Sequence, residues 1–250
     1  MFGPDAPFVV LAIAGTFLLA GFVKGVIGLG LPTLAMGLLG AVMPPAQAAS
    51  LLVIPSLVTN FWQLAAGPSF VPLLRRLWVM MAGVCIGTWV GAGFLTGGSA
   101  ERTVFALGVV LLLYGCTGLA AVRFRVSPRA ERWLSPVVGL TTGFLTGATG
   151  VFVIPAVPYI QALGLEKEEL VQALAFSPTV SALALGLSLA GQGVLGLSLA
   201  GASLLAVVPA LVGMYTGQWL RLRVNEEAFR RAFFFGLIAL GAYLAVRNFA

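Results

Sequence analysis

GFVKGVIGLGLPTL, Gly21 to Leu34, sets Gly21, Gly25, Gly28 and Gly30, with Lys24 and Pro32, inside otherwise unbroken apolar sequence. Halfway down the chain the pattern returns as GFLTGATGVFVIPAV, Gly143 to Val157. A glycine-rich interruption repeated inside apolar runs is the sequence form of a discontinuous membrane helix, whose unwound backbone lines a substrate site.

Composition supports a membrane setting. The chain of 250 residues is 60% hydrophobic and 9% charged, with a mean hydropathy of +1.05. Soluble domains carry roughly 25% charged residues, so this inventory cannot clothe a water-facing surface. The expected fold is all-α, a polytopic helical membrane protein. Spans are read at about 8–23, 26–43, 46–67, 77–97, 102–122, 135–148, 150–164, 170–190, 196–219 and 231–248, long enough in most cases for a hydrocarbon core of about 30 Å. That gives about 10 spans (8–10). The first pair and the sixth and seventh are short, which fits broken or re-entrant helices near 24-32 and 146-155.

Charge placement orients the chain. With the N-terminus outside, Lys24, Arg75, Arg76, Arg123, Arg125, Arg129, Arg132, Lys167, Arg221, Arg223, Arg230 and Arg231 fall inside, and only Arg102 and Arg247 outside. Twelve of 14 basic residues on one side is a strong positive-inside bias. The net charge of +6 therefore reflects cytoplasmic loops and no nucleic-acid partner. The N-terminus lacks a basic residue before its apolar run, unlike a cleaved signal peptide, so Phe8 onward reads as the first span. Trp62, Trp78, Trp133 and Trp219 sit near inner span ends, whereas Trp89 falls mid-span. Cys85 and Cys116 lie in apolar runs and are expected to be buried free thiols.

The echo continues beyond the two boxes. Gly21, Gly25 and Gly28 align with Gly143, Gly147 and Gly150, and Pro32 with Pro155. Pro55 then aligns with Pro178, Gly87 and Gly91 with Gly213 and Gly217, and Gly108 with Gly236. Two repeats of about five spans are expected: 1-122, then a basic cytoplasmic linker at 123-133, then 134-250. An odd span number makes the second repeat inverted. The loops agree: the Arg75–Arg76 loop answers to uncharged Gly191–Gly196, and the bare turn Pro44–Ala46 to Glu166–Glu169. Inverted repeats of this kind place their site near the midplane between the halves.

Candidate substrate-binding residues emerge from that layout. A break at Gly28–Pro32 frees backbone N–H groups where a second half-helix starts, and such an end attracts anions. Gly28, Gly30, Pro32 and Thr33 form the first set; Thr146, Thr149, Gly150 and Pro155 form the second. Lys24 has two readings, an anion attractor in the pathway or a snorkelling marker at the interface. Ser50, Asn60, Gln172, Ser177 and Ser181 are polar residues on the two proline-interrupted spans, suited to replacing water around a substrate or to tying helices together. Tyr159 and Gln161 are weaker candidates. The helix-spaced glycines also have a plain use in close helix contact.

Several classes are excluded. There is no histidine, hence no His-ligated metal or haem, no Ser–His protease and no histidine relay; no cofactor or metal is expected. No Asp or Glu falls mid-span, from Asp5 at the N-terminus to Glu227, which argues against a cation pathway and against an enzyme built on paired carboxylates. An anion leaving a negative-inside cell gains about 2.3 kcal/mol per charge at 100 mV without coupling, so the composition leans to efflux. An anion-selective channel or an uptake permease of the same architecture is the alternative.

Both boxes, at their half-length spacing, resemble the paired signatures of the sulfite exporter TauE/SafE family, over nearly the whole chain. The resemblance implies a permease of the bacterial inner membrane moving sulfite, an organosulfonate or a related small anion. The chain departs from the pattern where the glycine run before the box proline shrinks to Gly28–Leu29–Gly30 and Gly150–Val151–Phe152, and where Lys24 replaces the usual small or hydroxyl residue. The partners implied are a small anionic substrate and the lipid bilayer; the sequence sets no oligomeric state.

Overall fold

The computed structural model describes residues 6–65, 67, 69–120 and 125–247. Met1–Asp5, which carries the N-terminal side assignment, and Arg123 in the linker lie outside the described residues. Among the described residues ten helices succeed one another: α1 (Ala6–Ile27), α2 (Leu31–Val42), α3 (Pro45–Ala65), α4 (Phe70–Gly97), α5 (Ala100–Ala120), α6 (Pro128–Thr149), α7 (Ala156–Gln161), α8 (Lys167–Gly191), α9 (Leu197–Arg221) and α10 (Glu226–Val246). No strand occurs among the described residues.

Seven of these helices, α1, α3, α4, α5, α8, α9 and α10, are long and apolar enough to cross a bilayer, so the chain is a multi-pass membrane protein. The other three stretches expected as spans differ for physical reasons. α2 has 12 residues, about 18 Å at 1.5 Å per residue, and α7 has only 6. α6 is long enough at 22 residues, but opens on the charged turn Pro128–Arg132. Large apolar side chains such as Trp89, Phe94, Leu187 and Tyr215 face outward, as a lipid-facing surface requires.

Helix pairs pack in a repeated pattern. A Cβ on Gly21 or Gly25 of α1 would overlap the carbonyl oxygen of Ala210 or Met214 of α9. A Cβ on Gly143 or Gly147 of α6 would overlap that of Val84 or Thr88 of α4. The reverse contacts match as well: Gly213 and Gly217 face Leu18 and Phe22, while Gly87 and Gly91 face Leu140 and Phe144. Residue numbers rise together along both seams, so α1 runs parallel to α9, and α4 to α6. The packing use of these glycines is therefore real: no side chain fits between the backbones.

The α5–α10 and α3–α8 pairs run the other way. Gly108 meets Gly241 while Gly115 meets Phe234, which makes α5 antiparallel to α10. Gly186 meets Val53 while Gln172 meets Leu64 and Gly67, which makes α3 antiparallel to α8. Gly236, matched in sequence with Gly108, has open space around it; the glycine that occupies this contact is Gly241, five residues on.

α3 and α8 form the interior and carry Pro55 and Pro178. Pro55 cannot donate to Leu51, and Ser203 of α9 fills the gap: its Oγ donates to the Leu51 carbonyl at 2.8 Å and accepts from the Ile54 N–H at 3.3 Å. The cysteines depart from expectation. Cys85 and Cys116 are free but exposed, on the outer faces of α4 and α5, because the inner faces of both helices are given to glycine contacts.

Candidate substrate cavity and anion site

The first box breaks where its glycines demand. Gly28 has φ 85° and Gly30 φ 102°, left-handed values that favour glycine. The Gly28 N–H closes α1 onto the Lys24 carbonyl at 2.7 Å, and Gly30 then caps α2. In the second box Gly150, at φ 72°, closes α6 onto the Thr146 carbonyl at 2.8 Å. Both helices thus end alike, but the chain takes a different course beyond each end. The first box restarts at once as α2, with Pro32 in its opening turn. The second continues irregularly from Val151 through a cis Ile154–Pro155 bond into α7. The expected second half-helix end is absent, since a helix of six residues has no dipole of consequence.

A cavity of about 930 Å³ opens at one end of the bundle. The C-terminal ends of α1, α3 and α9 and the N-terminal end of α8 surround it, through Lys24, Gly28, Thr59, Gln172 and Gln218, with Lys167 and Arg221 also lining it. Lys24 is 4% exposed. Its ammonium donates to Thr59 Oγ1 at 3.1 Å and to Asn60 Oδ1. Among the described residues no carboxylate lies within ion-pair distance of it. A snorkelling lysine would reach headgroups; this one is held inward by α3.

Polar atoms continue past the cavity. Thr33 Oγ1, Ser56 Oγ, Asn60 Nδ2, Ser177 Oγ and Ser181 Oγ are buried without a hydrogen-bond partner. Ser56 lies one turn deeper than Asn60 on α3. Ser177 and Ser181 lie about 7.5 and about 13.5 Å beyond Gln172 along α8. Buried polar groups are ordinarily paired, so these unpaired ones are suited to a guest's oxygens; Thr88 Oγ1 and Thr142 Oγ1, on the α4–α6 pair away from the cavity, are unpaired as well.

The remaining candidates are occupied elsewhere. Ser50 donates to Ala46 within its own helix at 2.9 Å. Gln172 is fully engaged: its amide donates to the Leu64 and Gly67 carbonyls at 2.8 and 2.9 Å and accepts from the Ser69 N–H at 2.8 Å. Thr146 donates to the Val151 carbonyl at 3.2 Å, and Thr149 to Leu145 at 2.7 Å. These two, with Gly150 and Pro155, do not line the cavity, although Gly150 abuts Met36 of α2. Tyr159 bonds Ser135 at 2.6 Å and Gln161 is exposed. Sequence reasoning missed Ser56, Thr59 as a Lys24 partner, and the rim residues Trp62, Gln218 and Arg221. Ser56 had a signal, a hydroxyl next to Pro55 on an interrupted span.

At the opposite end of the bundle the matching side chains are buried. Thr88, Ala92 and Leu95 of α4 stand 126 positions before Met214, Gln218 and Arg221, the offset that relates Gly87 to Gly213, and all three are buried. Ala48, Ala182 and Leu185 are buried with them, and Thr96 is hydrogen-bonded to Gln192 between the ends of α4 and α8.

A comparison with protein families matches the model described as "Sulfite exporter TauE/SafE" over residues 13–244. No curated protein and no solved structure matches the chain.

Proposed function

The chain belongs to the sulfite exporter TauE/SafE family, and on that premise we propose that it is a secondary permease carrying a small oxyanion, sulfite or an organosulfonate, out across the bacterial inner membrane. The observation that carries this reading is the buried ammonium of Lys24 at the cavity, held by neutral side chains alone. A cation without a counter-charge in a low-dielectric interior is costly, and a bound anion removes that cost.

The architecture is read as two inverted repeats, 1-122 and 134-250, joined by the linker 123-133. The copied glycine seams support this, as do the antiparallel courses of α5 against α10 and α3 against α8. With the N-terminus outside, the cavity faces the cytoplasm, where an exported anion enters. Lys24, Gly28, Thr33, Asn60, Ser177 and Ser181 are assigned to the substrate path; Ser50 and Gln172 to the scaffold. The burial of Thr88, Ala92 and Leu95 at the opposite end favours a carrier over the alternative, an open anion channel.

The test is flux of labelled sulfite or methanesulfonate from proteoliposomes under an imposed potential. Flux that disappears in Gly28→Leu, whose left-handed backbone rejects a side chain, supports the reading. No flux of any oxyanion through the wild-type protein overturns it.

A further inference from the structure

We propose that the site accepts an oxyanion of one negative charge, hydrogen sulfite or a sulfonate monoanion, and rejects dianions, a specificity set by Lys24 as the single buried charge lining the cavity among the described residues. The inference rests on the function proposed above and specifies its substrate.

Of the charges that line the cavity, Lys24 alone is buried. From α8, Lys167 and Glu168 both line it. From α9, Arg221 lines it and pairs with Glu226 at 3.3 Å, while Arg223 lies over the Trp219 ring at 4.0 Å. α3 contributes only Thr59, Trp62 and Gln63, and α1 only Lys24 and two glycines. Lys167, Glu168 and Arg221 are exposed to water, so the one buried charge is Lys24, with Thr59 and Asn60 as partners.

The second half adds no buried charge: its cavity-lining Lys167, Glu168 and Arg221 are exposed. The 122-position offset that relates Gly21 to Gly143 carries Lys24 onto Thr146, a neutral hydroxyl spent on the Val151 carbonyl. A pathway built from two repeats has here a buried cation in one repeat only. A monoanion on Lys24 gives a neutral buried complex. A dianion leaves a net charge in a medium that solvates charge poorly. Neutral donors then complete the recognition: with Asn60 Oδ1 turned to Lys24, Nδ2 is buried and unpartnered, free to donate to a second oxygen of the guest.

The experiment is a binding series on the purified full chain, by thermal shift or calorimetry, with sodium methanesulfonate, sulfite and sulfate. Methanesulfonate is a monoanion throughout, sulfate a dianion, and sulfite passes from one to the other near neutral pH. Methanesulfonate should bind at least about tenfold more tightly than sulfate. Sulfite affinity should fall as the pH rises through its second ionisation, in step with the loss of hydrogen sulfite. The methanesulfonate series at the same pH values reports any change in Lys24 itself. Lys24→Arg should keep the preference for monoanions, and Lys24→Met should lose anion binding. Sulfate binding as tightly as methanesulfonate overturns the charge rule while leaving an anion permease standing. Binding of no anion at all overturns the permease as well.

Discussion

Gly108 and Gly241 face each other reciprocally across α5 and α10: a Cβ on Gly108 would lie 2.8 Å from the Gly241 carbonyl oxygen, and one on Gly241 2.7 Å from that of Gly108. Such mutual contact is what a two-fold relation between helices produces. Replacing either glycine by leucine should force the helices apart and destabilise the protein by about 1–3 kcal/mol. Thermal unfolding of the purified protein checks it.

The two parallel seams should respond alike. Gly213→Leu at the Leu18 backbone and Gly87→Leu at the Leu140 backbone remove the same contact in each half, so their melting temperatures should fall by similar amounts. Gly93 and Gly236 sit in helices with nothing near them. Alanine there should stabilise by about 0.5–1 kcal/mol through the lost flexibility of the unfolded chain.

Ser56, Ser177 and Ser181 are predicted to oppose stability and transport to each other. Each hydroxyl is buried and unpartnered, so Ser→Ala should stabilise by about 1 kcal/mol by removing an unmet desolvation cost. The same changes should slow anion flux in proteoliposomes. A hydroxyl serving structure alone would lower the melting temperature when removed, and leave flux as it was.

These serines also mark how far the sequence could be read. The seven helices long and apolar enough to span were legible, because apolar run length and breaker residues depend on local sequence, whereas α2, α6 and α7 were read as spans and are not among them. The break at Gly28–Gly30 was legible for the same reason. What local sequence cannot show is which partner a polar side chain finds. Ser50 and Ser177 look equivalent along the chain, yet one bonds its own helix and the other bonds nothing. The second box kept its glycines but lost its half-helix, since the course after Gly150 depends on contacts with α2. Cys85 was misplaced because apolarity marks a lipid-facing residue as readily as a core one.

Gln172 ties α8 to the end of α3 through the Leu64 and Gly67 carbonyls and the Ser69 N–H. Gln172→Leu leaves these backbone groups without their side-chain partner, at a cost of about 1–3 kcal/mol. Its melting temperature should therefore drop well below that of Ser50→Ala, which removes only a bond within one helix turn.

Gln218 and Ala92 provide the sharpest test of how the closed end behaves. They occupy corresponding places, 126 positions apart, on α9 and α4. Gln218 lines the open cavity, and Ala92 is fully buried. The seams that bind α9 to α1 and α4 to α6 are backbone-tight, so each pair should move as one body over the interior helices α3 and α8. Closing the cavity around Gln218 then opens the counterpart around Ala92. In a background with Cys85 and Cys116 replaced, Gln218→Cys should react with a membrane-impermeant thiol reagent in the resting protein. Ala92→Cys should stay unlabelled at rest and become reactive, from the opposite side of the membrane, only when a transported anion is present. Labelling of both positions from the same side would refute the exchange of open and shut ends, and labelling of Ala92→Cys without anion would mean that the closed end is not a gate.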